Sequence, residues 1–136
     1  FKSNLDQKEI TSNDRTVSEI NYWLCLKNIK GIHFIKNDLE KVDFSDKHNK
    51  FQLCLFALKE DRTSFYGLIS TAIKNNEVTY QNLTEWPILE VFRNDIEYIE
   101  IINGMKSEIR TSLREINDSI TEAAASYSEV ELQEAP

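Results

Sequence analysis

Apolar residues recur every three or four positions along most of this chain, a spacing that predicts helices. The first apolar run begins at Val17 and ends near Gly31, a residue suited to the left-handed position that follows a helix. Asp14 or Thr16 can cap its start, and Thr16 and Glu19 have the spacing of a capping box. We therefore expect the first helix to begin at about Thr16.

Three more helices are predicted between Gly31 and Asn75. The first two cover about residues 32–44 and 46–59, and the second of them is apolar nearly all round, which is typical of a helix packed between neighbours. The third follows the turn at Asp61 and has one clear amphipathic face. That face consists of Phe65, Leu68, Ile69, Ala72 and Ile73.

The last third of the chain predicts a short helix, a break and one long helix. The short helix covers about residues 79–85, and Pro87 then lacks a backbone N–H and disfavours helix at Trp86. Asn94 and Asp95 resemble the N-cap of a long final helix. Its apolar positions form a narrow stripe of coiled-coil type: Ile96, Ile99, Ile102, Met105, Ile109, Leu113, Ile116 and Ile120.

The composition agrees with an all-α fold. Of 136 residues, 40% are hydrophobic and 29% are charged, a composition typical of globular proteins. Only 3 Gly and 2 Pro are present. All-β sandwiches and barrels need more tight turns than those residues provide. No apolar run reaches the ~18 residues of a membrane span and no secretory signal is visible, so we expect a cytoplasmic chain without membrane contact.

The first four predicted helices form two consecutive helix–turn–helix units. Ile35 precedes Phe65 by the same 30 positions that separate Val42 from Ala72. A period of roughly 30–35 residues is typical of helical solenoids. The chain is therefore predicted to contain a short repeat array.

The second unit carries a family resemblance. Its segment FALKEDRTSFYGLISTAIKNN resembles the second half of a tetratricopeptide repeat. Glu60 and Asp61 stand where that family prefers Gly-Asp, and Ala72 falls on the family's late alanine. The segment TEWPILEVFRND resembles the piece that caps such arrays. The resemblance implies a groove of helix faces that binds a peptide or a partner helix, although the family's turn glycine and later proline are absent from this unit.

The predicted fold class is thus all-α: a short helix–turn–helix repeat array with a capping segment and a long C-terminal helix. We expect four segments along the chain. They are a polar arm (1–16), tetratricopeptide-like repeats with their cap (17–103), an extension of the last helix (104–122) and an acidic tail (123–136).

The net charge of −7 belongs to the second half of the chain. Residues 1–68 contain 11 basic and 10 acidic residues, whereas residues 69–136 contain 5 basic and 13 acidic ones. Nucleic acids and anionic membranes both require Lys and Arg, so this distribution argues against either partner. It favours a protein partner or self-association.

No residue pattern predicts catalysis. Cys25 and Cys54 lie in apolar runs and form no CxxC, and neither has His33 or His48 at a spacing that orients a nucleophile. Phosphate loops and metalloprotease motifs are absent from the sequence. We therefore predict no catalytic residue, no metal site and no cofactor.

The predicted function is a non-enzymatic protein–protein interaction module that presents helical-repeat surfaces to a protein partner. The alternative is a C-terminal oligomerisation or regulatory domain of a larger bacterial sensor or defence protein. The residues predicted to contact a partner are Tyr22, Lys27, Lys30, Trp86 and Arg93.

The stripe on the last helix extends beyond the predicted repeats. It can fold back on them, pair with a second copy or receive a partner, because large apolar side chains are stabilised by burial. The residues predicted to take part in self-association are Ile109, Leu113, Ile116 and Ile120.

Overall fold

The computed structural model describes the backbone of residues 2–134 and the side chains of residues 12–127. Within those residues the chain is all-α, with no strand, and ends in a long C-terminal helix, so the predicted fold class is confirmed. The elements are α1 (Lys2–Lys30), α2 (Ile32–Leu39), α3 (Asn49–Lys59), α4 (Arg62–Lys74), α5 (Tyr80–Glu85), a 3₁₀ helix (Pro87–Phe92) and α6 (Ile96–Glu134).

Helix α1 begins earlier than the hydrophobic pattern predicted. Its backbone is helical from Lys2, so the segment predicted as a polar arm continues directly into the helix, while Phe1 lies outside the described residues. Thr16 is no N-cap, because its hydroxyl donates to the Ser12 carbonyl (3.0 Å) within the helix. Residues 2–30 contain neither Gly nor Pro, which lets a polar segment without apolar periodicity stay helical.

The first four helices pack as two hairpins around α3. Helix α1 contacts α2 and α3, and α3 also contacts α4 and the 3₁₀ helix, which agrees with the prediction that it packs between neighbours. The first hairpin turns at Gly31, whose φ of 90° is a conformation that residues with a side chain rarely adopt. The second turns at Glu60, which is left-handed (φ 54°), before Asp61 caps α4 by accepting from the Ser64 amide (3.2 Å).

Only part of the predicted 30-residue correspondence survives in the helices. Ile35 in α2 and Phe65 in α4 are both fully buried, as are Leu39 and Ile69 one turn later. Helix α2 ends at Leu39, so Val42 lies in the following loop and does not match the helical position of Ala72. That half of the predicted correspondence is wrong.

A carboxylate from the α4–α5 loop closes the N-terminus of α3. The preceding residue, His48, forms no side-chain cap. Glu77 instead accepts from the Asn49 amide (2.9 Å) and from the Asn49 side chain (2.8 Å). This pair satisfies an amide that the helix leaves without a partner and joins segments 28 positions apart in sequence.

The junction at Pro87 determines how α6 leaves the rest of the chain. The Leu83 carbonyl would normally accept from the amide four residues later, and that residue is Pro87, which has none. Two side chains replace it: the Tyr98 hydroxyl donates to this carbonyl at 2.6 Å and Arg93 Nε at 3.3 Å. Arg93 also donates to the Trp86 carbonyl. These bonds attach the start of α6 to the end of α5.

An aromatic cluster completes the core beside this junction. Phe65 of α4 lies 4.4 Å from Phe92 of the 3₁₀ helix and 6.2 Å from Tyr98 of α6, measured between ring centroids. All three side chains are buried. The contacts hold three elements together through ring packing, in addition to the hydrogen bonds of the junction.

Candidate interaction surface

Helix α6 packs on the other helices only through its first turns. Tyr98 is buried, and Ile101, Ile102 and Met105 are partly buried against the core. Ile96 and Ile99, predicted to begin the stripe, are 75% and 46% exposed, so the face that packs on the body starts at Tyr98 instead. We call residues 12–105 the body. From position 106 to 127 every described side chain is exposed. At 1.5 Å per residue this part of the helix extends about 30 Å beyond the body.

The exposed part of α6 carries a continuous apolar stripe. Ile109, Leu113, Ile116 and Ile120 are 43%, 60%, 56% and 62% exposed. Ala123 and Tyr127 continue the alternating spacing of four and three residues and are exposed as well. We call these six residues the α6 stripe. Such spacing keeps one face in register along a coiled-coil seam.

The stripe does not fold back on the body. Helix α6 is uninterrupted from Ile96 to Glu134, and Gly104 does not break it. A straight helix cannot return its second half to its own starting point, so folding back, one of the three predicted outcomes, does not occur among the described residues. The segments predicted as an extension (104–122) and an acidic tail (123–136) are one helix up to Glu134, with residues 135–136 outside the described part.

Two of the residues predicted as exposed partner contacts are used within the chain. Lys27 reaches from α1 to the end of α3, where it donates to the Ala57 carbonyl (3.2 Å) and lies 3.6 Å from Glu60. Burial lowers the pKa of Lys27 despite the opposing effect of Glu60. Arg93 is held by the carbonyls of the Pro87 junction. Both cations satisfy acceptors at helix ends, which sequence spacing does not reveal.

The remaining three predicted contacts lie on α1 and at the Pro87 junction. Tyr22 is 59% exposed and packs edge-on against Trp23, and Lys30 lies 5.9 Å above the Phe34 ring. Trp86 is half-buried, and its carbonyl accepts a hydrogen bond from Arg93. Of the predicted contacts, the structure therefore joins Trp86 to Arg93 directly.

A cleft that the sequence did not predict lies between α1, α3 and the start of the 3₁₀ helix. Its volume is about 370 Å³ and its lining is mainly apolar. Of the residues predicted to contact a partner, Trp86 lines this cleft. The lining residues are Asn13, Asp14, Val17, Ile20, Asn21, Leu24, Lys50, Phe51, Cys54, Trp86, Pro87 and Ile88.

A polar cluster joins α4 to the start of α6. The Tyr66 hydroxyl donates to Asp95 at 2.7 Å, and Arg62 Nε donates to the same carboxylate at 3.0 Å. Limited burial pushes the pKa of Asp95 upward, but the bonds from Tyr66 and Arg62 and the Arg62 charge outweigh it and leave that pKa below its ordinary value. Burial and Asp95 raise the pKa of Tyr66. These hydrogen bonds, from a neutral phenol and a guanidinium to one carboxylate, hold α4 against the start of α6.

The two thiols and two imidazoles differ in their exposure to solvent. Cys54 is buried, and burial raises the pKa of its thiol to about 12, whereas Cys25, His33 and His48 are exposed. In the described part of the chain no three His, Cys, Asp or Glu side chains are grouped as metal ligands. None of the described helices has the length and apolar character needed to cross a membrane.

Comparisons with protein-family models, curated proteins and solved structures find no match to this chain. The fold class therefore rests on the helices themselves: the chain is an all-α protein with two helical hairpins and a projecting C-terminal helix. Its most distinctive surface is the α6 stripe.

Proposed function

We propose that this chain is a non-enzymatic protein–protein interaction module and that the α6 stripe is its binding surface. The supporting observation is a row of large apolar side chains, 43–62% exposed from Ile109 to Ile120, on the part of α6 that the body does not cover. Burying each of them would contribute about 1.5–3 kcal/mol. Most helices in proteins are stabilised by packing an apolar face, and a partner would supply that packing here.

The body serves as the scaffold in this proposal. Two successive hairpins with matched buried positions, Ile35 with Phe65 and Leu39 with Ile69, support the tetratricopeptide-like interpretation. That resemblance implies a second protein-binding face on the hairpins, and Tyr22 and Lys30 are exposed there. The alternative, an oligomerisation or regulatory domain of a larger protein, uses the same stripe and differs only in what covers it.

The test compares the full chain with a variant in which the stripe is charged, Leu113→Glu/Ile116→Glu. Thr111→Glu/Thr121→Glu is the matched control, because it adds the same charge at exposed positions of α6 outside the stripe. Light scattering gives the mass against 15.9 kDa for one chain, and affinity capture followed by mass spectrometry identifies partners. Circular dichroism checks that both variants stay helical.

The proposal expects a complex, with itself or with an identified protein, that the stripe variant loses and the control variant keeps. A wild-type chain of single-chain mass, with no partner that depends on the stripe, would contradict it.

A further inference from the structure

We propose that the α6 stripe is covered by the α6 stripe of a second copy of this chain, running antiparallel to the first. This inference rests on the proposed function and identifies the partner. Three observations carry it: the spacing of the stripe, the side of α6 on which the body lies, and the distribution of charge along the helix.

The spacing of the stripe is the same read in either direction. Its steps are four, three, four, three and four, and they are symmetric about Asp118. Reversing a second copy about that point therefore places an apolar residue opposite an apolar residue in every layer. The layers are Ile109 with Tyr127, Leu113 with Ala123, and Ile116 with Ile120, each formed twice.

One type of layer combines a large side chain with a small one. Leu113 meets Ala123, the smallest residue of the stripe, and the two central layers join Ile116 to Ile120. On one side of the stripe the flanking residues are small and exposed, which lets the two helices approach closely on that side; they are Ser112, Ser119 and Ser126.

The position of the body selects the antiparallel orientation. Tyr98, Ile102 and Met105 pack on the body, and the stripe continues their face of the helix after one more turn. In a parallel pair both bodies would lie at the same end of the paired helices. Each body would also lie on the helix face that has to contact the other helix, so the two bodies would clash. In an antiparallel pair the bodies lie at opposite ends.

The length of the exposed helix agrees with this arrangement. Pairing about Asp118 places Met105 opposite position 131, so residues 106–130 of the two copies pair with one another. All described side chains of this segment, residues 106–127, are exposed. The second copy's helix ends at Glu134, within one turn of the position opposite Met105, where the body of the first begins. The two exposed segments therefore cover each other almost completely.

Charge favours the same orientation. Before Asp118 the exposed helix carries Lys106, Arg110 and Arg114 against two acids, and after it the sequence 119–134 has four acids and no base. Parallel helices would place like halves side by side, whereas antiparallel helices place the basic half of one along the acidic half of the other. Charges at helix–helix distances lie within a Debye length of ~8–10 Å and are only partly screened. The dipoles of two antiparallel helices also attract one another, whereas those of parallel helices repel.

Disulfide cross-linking of the full chain tests the register. All variants carry Cys25→Ser, because Cys25 is exposed, and retain Cys54, which is buried. Pairing about Asp118 brings position 119 of both copies to within about 3 Å along the axis, at 1.5 Å per residue. Ser119→Cys should therefore form a covalent dimer of twice 15.9 kDa under a mild oxidant.

The same register brings position 112 of one copy to within about 3 Å, along the helix axis, of position 126 of the other. Ser112→Cys and Ser126→Cys should each stay largely uncross-linked alone and form a disulfide-linked heterodimer when mixed. A parallel pair would instead link Ser112→Cys to Asn117→Cys. Adding Leu113→Glu to Ser119→Cys should abolish the cross-link, and adding Thr111→Glu should not.

The outcomes separate this inference from the function on which it rests. Failure of Ser119→Cys to cross-link in a chain that is dimeric by light scattering would overturn the antiparallel register and leave the interaction module standing. A monomeric chain that binds a different protein through the stripe would refute only the claim that the partner is a second copy of this chain. A monomeric chain with no stripe-dependent partner would overturn both.

Discussion

The Leu83 carbonyl at the Pro87 junction allows a test of how the body holds α6. Two substitutions remove its donors separately: Tyr98→Phe deletes the hydroxyl at 2.6 Å, and Arg93→Met deletes the guanidinium but keeps an unbranched side chain of similar length. The double variant leaves this carbonyl without a donor, because Pro87 cannot supply one.

The size of each effect follows from burial and charge. Tyr98 is 2% exposed, so loss of its hydrogen bond should lower the free energy of unfolding by about 1 kcal/mol. Arg93 is a charged donor to two carbonyls, and its loss should cost about 2 kcal/mol. The double variant should lose about 1 kcal/mol more than the sum, since either donor alone still satisfies the carbonyl.

Urea unfolding at one fixed chain concentration measures these values, because self-association would make stability depend on concentration. Circular dichroism at 222 nm follows all helices, and tryptophan fluorescence reports on Trp23 and on Trp86 beside the junction. The melting temperature should fall by about 3 °C for each kcal/mol in a chain of this size. Strictly additive single effects, or a cost below about 0.3 kcal/mol for both, would refute the claim that these side chains replace the missing proline amide.

Three further predictions concern the body. Glu77→Ala should lower the free energy of unfolding by about 1–2 kcal/mol, because it removes the cap of α3, whereas Glu85→Ala on the exposed surface should change it little; equal effects in urea unfolding would contradict the cap. Lys27→Met should change stability by less than about 1 kcal/mol, since lost bonds are offset by relief of a desolvated charge; a larger loss by the same measurement would show that its ion pair dominates. The raised pKa of the buried Cys54 thiol means that the folded state holds this proton more tightly than the unfolded state, so its contribution is complete below pH 9 and lost as pH rises towards 12. Stability measured across that range should fall less in Cys54→Ala, and an unchanged slope would contradict the assignment.

Helix ends were predictable where a single residue type determines them. Gly31 and Pro87 act through backbone properties that need no tertiary context, and both end a helix where expected. The start of α1 was not predictable in this way. Its first half is polar and has no apolar period, so only the absence of Gly and Pro indicated that the helix continues to Lys2.

The roles of Lys27 and Arg93 depend on acceptors that only the folded chain creates. Lys27 donates to the Ala57 carbonyl at the end of α3, 30 positions away. Arg93 donates to the Leu83 carbonyl, which lacks its usual donor because residue 87 is proline. A cation in a polar segment looks the same in sequence whether it meets solvent, a partner or such a carbonyl. The cleft beside Trp86 escaped prediction for the same reason, because its walls come from α1, α3 and the 3₁₀ helix.

The α6 stripe shows how one periodic pattern can serve two environments. Tyr98, Ile102 and Met105 share a face with Ile109 and the rest of the stripe, and nothing in the spacing changes between them. Only the extent of the body decides which part of that face is already covered, and the body ends at Met105. Because one face of α6 therefore passes from contacts within the chain to exposed positions without an interruption, whatever covers the stripe must lie end to end with the body. A reversed second copy meets that condition along the whole exposed length of the helix.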